Sequence, residues 1–180
     1  MSLRVRSCAS AIAVALLAAT AAAEAQTPQP ITVTSPTLKE GDAVPTQHTP
    51  YGRNDSPALT WSNVPASAKE LIVICEDPDA GNPPPFVHWV VYKIPATAKG
   101  LPEALPLSTL TPLPAGLDGA VQGLSGFRRP TYRGPAPPIG SGVHHYHFVV
   151  HAIDIALPAP GPLQPPLTRA ELLQAIEGHV

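Results

Sequence analysis

Residues 134–146 read Gly-Pro-Ala-Pro-Pro-Ile-Gly-Ser-Gly-Val-His-His-Tyr, a run that joins rigid, permissive and hydrogen-bonding residues in one stretch. Pro135, Pro137 and Pro138 fix φ and lack a donor, so with Ala136 they form a stiff wall outside any central strand. Gly134, Gly140 and Gly142 accept backbone shapes closed to other residues and let a ligand approach the main chain. His144 and Tyr146 lie two apart at the start of a segment that reads as a strand over residues 144–155, so both point to one face. Their imidazole and phenol can donate to the oxygens of an anion, and an imidazole that charges near neutral pH adds Coulomb attraction. This is the chemistry of one side of a small pocket.

A second stretch supplies the other side. Glu76-Asp77-Pro78-Asp79-Ala80 follows the apolar run at 71–75, and Phe86 to Tyr92 comes soon after. Together they bring Asp77 and His88 into consideration for the same site. Residue types alone leave plainer explanations open. A turn aspartate is common where a strand stops, which suits Asp79 well and suits Asp77, before Pro78, as well as a site does. Strict alternation sets His88 beside Phe86, Val90 and Tyr92, the surroundings of a satisfied core histidine. His145, His147 and His151 fall on the opposite face of the last strand. The first two have the spacing to hold Zn²⁺ or Cu²⁺. No acidic or cysteine ligand completes that set, and a half-wet strand face explains it better. Neither a metal nor a cofactor is expected. Ser125 and Ser141 lie in glycine-flanked turns, but neither occupies a G-x-S-x-G elbow, and Ser141 reads as part of a flexible Gly-Ser-Gly turn.

The elements that must hold these groups are short strands. Residues 31–34 alternate, 59–61 follow a turn-rich segment, and 71–75 are apolar on both faces, as in a central strand. Residues 87–94 form the next strand. Residues 95–130 are long, rich in Pro and Gly and weakly patterned, the mark of a functional or mobile loop. Thr168-Arg169-Ala170-Glu171 is a capping box that opens a helix running to about Glu177, with Gly178 closing it. Mostly short strands with one late helix predict a mainly β domain of two packed sheets.

Residues 1–25 read as a signal peptide. Arg4 and Arg6 give a positive start, residues 9–19 an apolar core, and Ala23-Glu24-Ala25 a small-x-small cleavage site. The apolar run is short for a membrane anchor. The expected location is periplasmic or secreted, with no membrane association beyond the signal. Residues 26–180, roughly 155, make one domain able to bury about two-thirds of its unfolded surface. Cys75 then stands alone, inside an apolar strand, as a small core residue with no internal disulfide partner. The formal net charge is −2 and only 13% of residues are charged, so no basic stripe invites nucleic acid.

Asp-Pro-Asp-Ala at 77–80, His88-Trp89, and Gly-Pro-x-Pro-Pro-x-Gly leading to His-x-Tyr at 134–146 resemble the phosphatidylethanolamine-binding proteins. The bacterial Raf kinase inhibitor-like branch is the nearest in pattern. Ser-Pro-Ala-Leu-Thr-Trp at 56–61 adds to the likeness, which covers residues 31–179. The resemblance implies a β-sandwich with peripheral helices and an anion pocket at one edge. It implies ligand-binding roles for Asp77, Ala80, His88, Gly134, Ala136, Pro137, Pro138, His144 and Tyr146. Asp77 would orient an imidazole or accept from a ligand ammonium. Gly81 replaces a proline usual after this motif, and Ala136 stands where relatives carry glycine or cysteine. The family generally continues past residue 180 with a further short strand, so either this fold lacks its last strand, which would expose a sheet edge, or the sequence is a fragment.

The favoured function is a non-enzymatic binding protein for a small anion or phosphorylated head group, with a protein partner and a homodimer as further options. The alternative is a hydrolase in which Asp77 orients His88 or His144 as acid and base, although a convincing nucleophile is lacking. A third is a periplasmic metal-binding protein.

Overall fold

The computed structural model describes residues 29–81, 83–107, 112–161 and 163–180. The expected signal peptide lies outside the described residues. In chain order the strands are β1 (Thr32–Thr34), β2 (Leu59–Ser62), β3 (Glu70–Asp77), β4 (Phe86–Pro95), β5 (Gly100–Leu101), β6 (Val121–Gln122) and β7 (His147–Ile153). One α-helix follows, α1 (Arg169–Ala175). The strands form two antiparallel sheets, in the orders β1-β2-β5 and β6-β4-β3-β7.

The apolar run at 71–75 is central because both its faces are buried. Leu71, Val73 and Cys75 pack with Trp89 and Val91 against Leu59, Trp61 and Leu101 of the smaller sheet. Ile72 and Ile74 pack with Val90 and Tyr92 against Leu172 and Ile176 at the helix. Each fully buried Leu, Ile or Val contributes about 1.5–3 kcal/mol. The Thr168 hydroxyl accepts from the Glu171 N–H, and the Glu171 carboxylate accepts from the Thr168 N–H, so the capping box forms as expected. The helix ends at Ala175, two residues earlier than the sequence suggests, and Gly178 follows at φ +79°. At the chain end, the Asp154 N–H donates to the His179 carbonyl at 3.2 Å, which lays residues 178–180 beside the end of β7.

Two expectations need correction. The long segment at 95–130 contains β5 and β6, each two residues long. Their pairing is set by their partners, Leu59–Thr60 and Val91–Tyr92, and not by any pattern of their own. The last strand begins at His147 and not at His144. Its ladder with β3 runs out at the pair Glu76↔His147, so residues 144–146 have no ladder partner there.

The proline-rich wall enters through a tight contact. His48 is fully buried; its Nδ1 donates to the Asp55 carbonyl at 2.9 Å, and its Nε2 accepts from the Thr37 hydroxyl at 2.8 Å. The His48 carbonyl in turn accepts from the Tyr132 hydroxyl at 2.8 Å. Gly134 lies so close that an added Cβ would stand 1.8 Å from that carbonyl oxygen. We therefore expect Gly134→Ala to cost at least about 3 kcal/mol in denaturant unfolding. Gly140→Ala meets no atom within 4 Å and suffers only from its positive φ, so it should cost about 1–2 kcal/mol.

Candidate functional site

Where the backbone ladder stops, side chains take over. Asp77, the last residue of β3, is only 2% exposed. Its Oδ1 accepts from the Asp79 N–H at 2.8 Å, and its Oδ2 accepts from His144 Nδ1 at 2.7 Å. Asp79 Oδ2 accepts both from the His145 N–H at 2.8 Å and from His145 Nδ1 at 2.7 Å. Those bonds from His145 hold the Asp79 carboxyl below its ordinary range. Two successive histidines are thus tied to two aspartates of one turn. The same tie puts His144 and Tyr146 on one side although neither is in a strand. Their rings stack at 6.4 Å, 20° from parallel.

His88 reaches the site through a β-bulge. Cys75 pairs with Trp89 and Glu76 with Val87, so His88 is the extra residue of β4. A bulge breaks the two-residue alternation and re-aims a side chain. Val87, Val90 and Tyr92 belong to the helix-side core, whereas Trp89 packs between the sheets. His88 therefore does not share a face with Val90 and Tyr92, contrary to strict alternation. Its ring meets Phe86 at 5.3 Å, Phe127 at 5.6 Å and Tyr146 at 5.2 Å, all edge-on. Its Nδ1 donates to the Arg133 carbonyl at 2.7 Å. In the neutral ring Nε2 is then left as an acceptor, and it makes no hydrogen bond to protein among the described residues.

The electrostatics follow from burial. Burial pushes the His88 imidazole below its ordinary 6.5, against the opposing pull of its bond to Arg133. Burial first, and then the Asp77 carboxylate, raises the Tyr146 phenol, so this group remains an O–H donor at any working pH. Burial likewise raises the Cys75 thiol, which keeps it in its neutral core role.

Residues 138–141 form a turn in which the Pro138 carbonyl accepts from the Ser141 N–H at 3.1 Å, with Gly140 at φ +86°. Ser141 Oγ lies 2.9 Å from His144 Nε2 and 2.8 Å from the Pro138 carbonyl. Sequence reasoning read Ser141 as a flexible turn residue; only the fold-back of this turn reveals its partner. Ser125 is buried, and its hydroxyl donates to the Arg129 carbonyl at 3.0 Å.

The structure thus brings Asp77, His144, Tyr146 and His88 into one continuous row. Gly134 and Pro135 are buried, Pro137 is half-buried, and Ala136 and Pro138 are exposed. The Gly134 N–H donates to Asn54 Oδ1 at 2.9 Å, which fixes the start of the wall and leaves that donor engaged. Ala80 is exposed in the turn after Asp79. A cavity of about 410 Å³ lies next door, with Asn54, Phe127, Arg129, Tyr132 and Arg133 in its lining. It shares Phe127 and Arg133 with the surroundings of His88 but does not include Asp77, His144 or Tyr146. Among the described residues no group of three or more His, Cys, Asp or Glu is placed to hold a metal ion.

The lowered His88 pKa has a consequence for stability. The unfolded chain binds more protons than the folded one as pH falls past the unfolded value. The contribution of His88 is full above 6.5 and is lost as pH falls through its lowered folded value. His151, also lowered by burial, acts in the same direction. Urea unfolding of the wild type should therefore show stability declining below pH 6.5, and His88→Gln should make that decline shallower without abolishing it.

Comparison with known proteins identifies the family of this chain. A family model described as phosphatidylethanolamine-binding protein matches residues 34–180. The UPF0098 protein of Methanothermobacter thermautotrophicus is 42% identical over 137 residues, covering 76% of this chain and 83% of its own. The UPF0098 protein YbhB of Escherichia coli is 41% identical over 123 residues, covering 66% of this chain and 75% of its own. The crystal structure of Escherichia coli YbcL superposes with a TM-score of 0.70 at 34% identity, covering 83% of this chain and 90% of that one. With its two antiparallel sheets, late helix and matching sequence, this chain belongs to the phosphatidylethanolamine-binding protein family.

Proposed function

We propose that this protein is a binding module for a small anion or phosphorylated head group, seated against His88, Tyr146 and the Asp77–His144 pair. The observation that carries this reading is His88. Its Nδ1 is held by the Arg133 carbonyl, its Nε2 has no protein partner among the described residues, and burial keeps it neutral. A phosphate oxygen arriving at Nε2 can bring or capture a proton and convert the ring into a charged donor. Tyr146 supplies a neutral O–H beside it. The charge of Arg133 is felt at the His88 ring and favours an anion there. Asp77 has both oxygens satisfied, so it orients His144 and leaves the anion to the donors. The family's description names phosphatidylethanolamine, and the head group of that lipid carries the phosphate this set would hold. Export to the periplasm or medium, supported by Arg4, Arg6 and the Ala23-Glu24-Ala25 site, is part of the proposal.

The test is thermal unfolding with phosphate, with phosphoethanolamine and with matched chloride. A ligand at a hundred times its dissociation constant adds about 2.7 kcal/mol of stability. The gain should appear in the wild type, vanish in His88→Ala and shrink in Tyr146→Phe. It should also grow as pH falls toward 6.5, because binding takes up a proton at His88. A folded wild type that responds to neither ligand would rule out the small-anion reading.

A further inference from the structure

The two nitrogens of His144 face different partners. Nδ1 lies 2.7 Å from Asp77 Oδ2, and Nε2 lies 2.9 Å from Ser141 Oγ. The His144 and Asp77 side chains are 4% and 2% exposed, whereas Ser141 is at the surface. A carboxylate can only accept, so Nδ1 carries the proton and Nε2 of the neutral ring accepts from the serine hydroxyl. Nucleophile, base and orienting carboxylate therefore stand in the order used by serine hydrolases, a constellation recognised by geometry and not by chain order.

The loop around the serine fits that use. Gly140 at φ +86° and Gly142 at φ +91° flank it in an exposed turn. The N–H groups of Gly142 and Val143, which follow the serine, make no hydrogen bond to protein among the described residues. They are available as donors adjoining the nucleophile, the place an oxyanion hole occupies. Ile139 and Val143, within two residues of the hydroxyl on either side, are 107% and 79% exposed and offer apolar surface to a substrate chain. The Pro138 carbonyl, 2.8 Å from Oγ, is a second acceptor. When His144 is neutral the hydroxyl donates to Nε2. When His144 is charged, Nε2–H donates to Oγ and the hydroxyl proton turns to Pro138.

We propose that Ser141 is a nucleophile activated by His144 and Asp77, and that this protein cleaves carboxylic esters carrying an apolar acyl chain. Oγ attacks the carbonyl carbon while its proton passes to His144 Nε2, and the carbonyl electron pair moves onto oxygen. Collapse re-forms the carbonyl, breaks the bond to the leaving alkoxide and returns the proton to it from His144. Water then attacks the acyl-serine with His144 as base, releasing the carboxylic acid and restoring the hydroxyl. This activity goes beyond the binding reading and does not depend on His88.

The experiment treats the purified protein with a fluorophosphonate probe, maps the adduct by peptide mass spectrometry, and follows hydrolysis of p-nitrophenyl butyrate. Exposed imidazoles such as His145 and His147 cleave activated esters unaided, so only the rate removed by Ser141→Ala counts. The expected result is an adduct on Ser141, an acyl burst lost in Ser141→Ala, and labelling at least roughly a hundredfold slower in Asp77→Asn. Ser141 is a surface position, so its alanine variant should fold, losing only the hydroxyl's bonds to His144 and Pro138, and serves as the folded control. No adduct at Ser141, an adduct elsewhere, or hydrolysis unchanged in Ser141→Ala would overturn the proposal. Phosphate stabilisation through His88, measured on the same Ser141→Ala protein, separates this outcome from failure of the anion site.

Discussion

The site depends on how β3 ends. Backbone pairing joins residues 70–76 to 147–153 and then stops, yet the strand carries one more residue into the interior. That residue is an aspartate at 2% exposure. A carboxylate in such a place is tolerated only when its oxygens are bonded, since leaving it unpaired costs several kcal/mol. The Asp79 N–H and His144 Nδ1 meet that demand. The demand then propagates along the chain. Asp77 fixes the plane of His144, His144 fixes where the Ser141 turn comes to rest, and Asp79 secures the next residue through His145. A sheet boundary thus becomes a polar row by hydrogen-bond accounting alone.

A second constraint works from the neighbouring strand. Had β4 kept its alternation, His88 would share a face with Val90 and Tyr92, which pack with Leu172 and Ile176. An imidazole there would be buried without a polar partner. The bulge opposite Cys75 and Glu76 turns it instead toward Phe86, Phe127 and Tyr146, and toward the Arg133 carbonyl that satisfies Nδ1. The Gly134 contact with His48 anchors the next residue, so the segment that supplies the carbonyl is held from both ends. The irregularity in the strand and the close glycine packing are two parts of one device for placing a single ring.

What could be read in the sequence was what each segment carries by itself. The doubly apolar run of β3 and the capping box of α1 announce themselves, because burial on both faces and reciprocal capping depend on adjacent residues. The chemistry-bearing types at Asp77, His88, His144 and Tyr146 were also legible, and they do lie together in the fold. The two-residue strands β5 and β6 were not, since Gly100–Leu101 and Val121–Gln122 become strands only by lying against others. The bulge at His88 is a mismatch between two strands and leaves no mark on either one alone. Reading residues 144–146 as strand failed because alternation persists in extended chain after the ladder partner has gone. Ser141 reads as a plain turn residue for a related reason: its distinguishing neighbour, His144, is three residues away in sequence but across a turn.

The structure also divides work that composition would assign to both histidines alike. His144 has partners at both nitrogens, so it offers an incoming anion nothing unless Ser141 moves. His88 has one nitrogen engaged and, among the described residues, the other open. The proposed anion site is therefore centred on His88, with the Asp77–His144 pair behind it. The proposed reactivity is centred on His144 and faces the exposed turn. Tyr146 touches both rings, edge-on to His88 and stacked on His144. The proposed anion site and the proposed nucleophile can share one scaffold, because the open acceptor belongs to His88 whereas the serine is tied to His144.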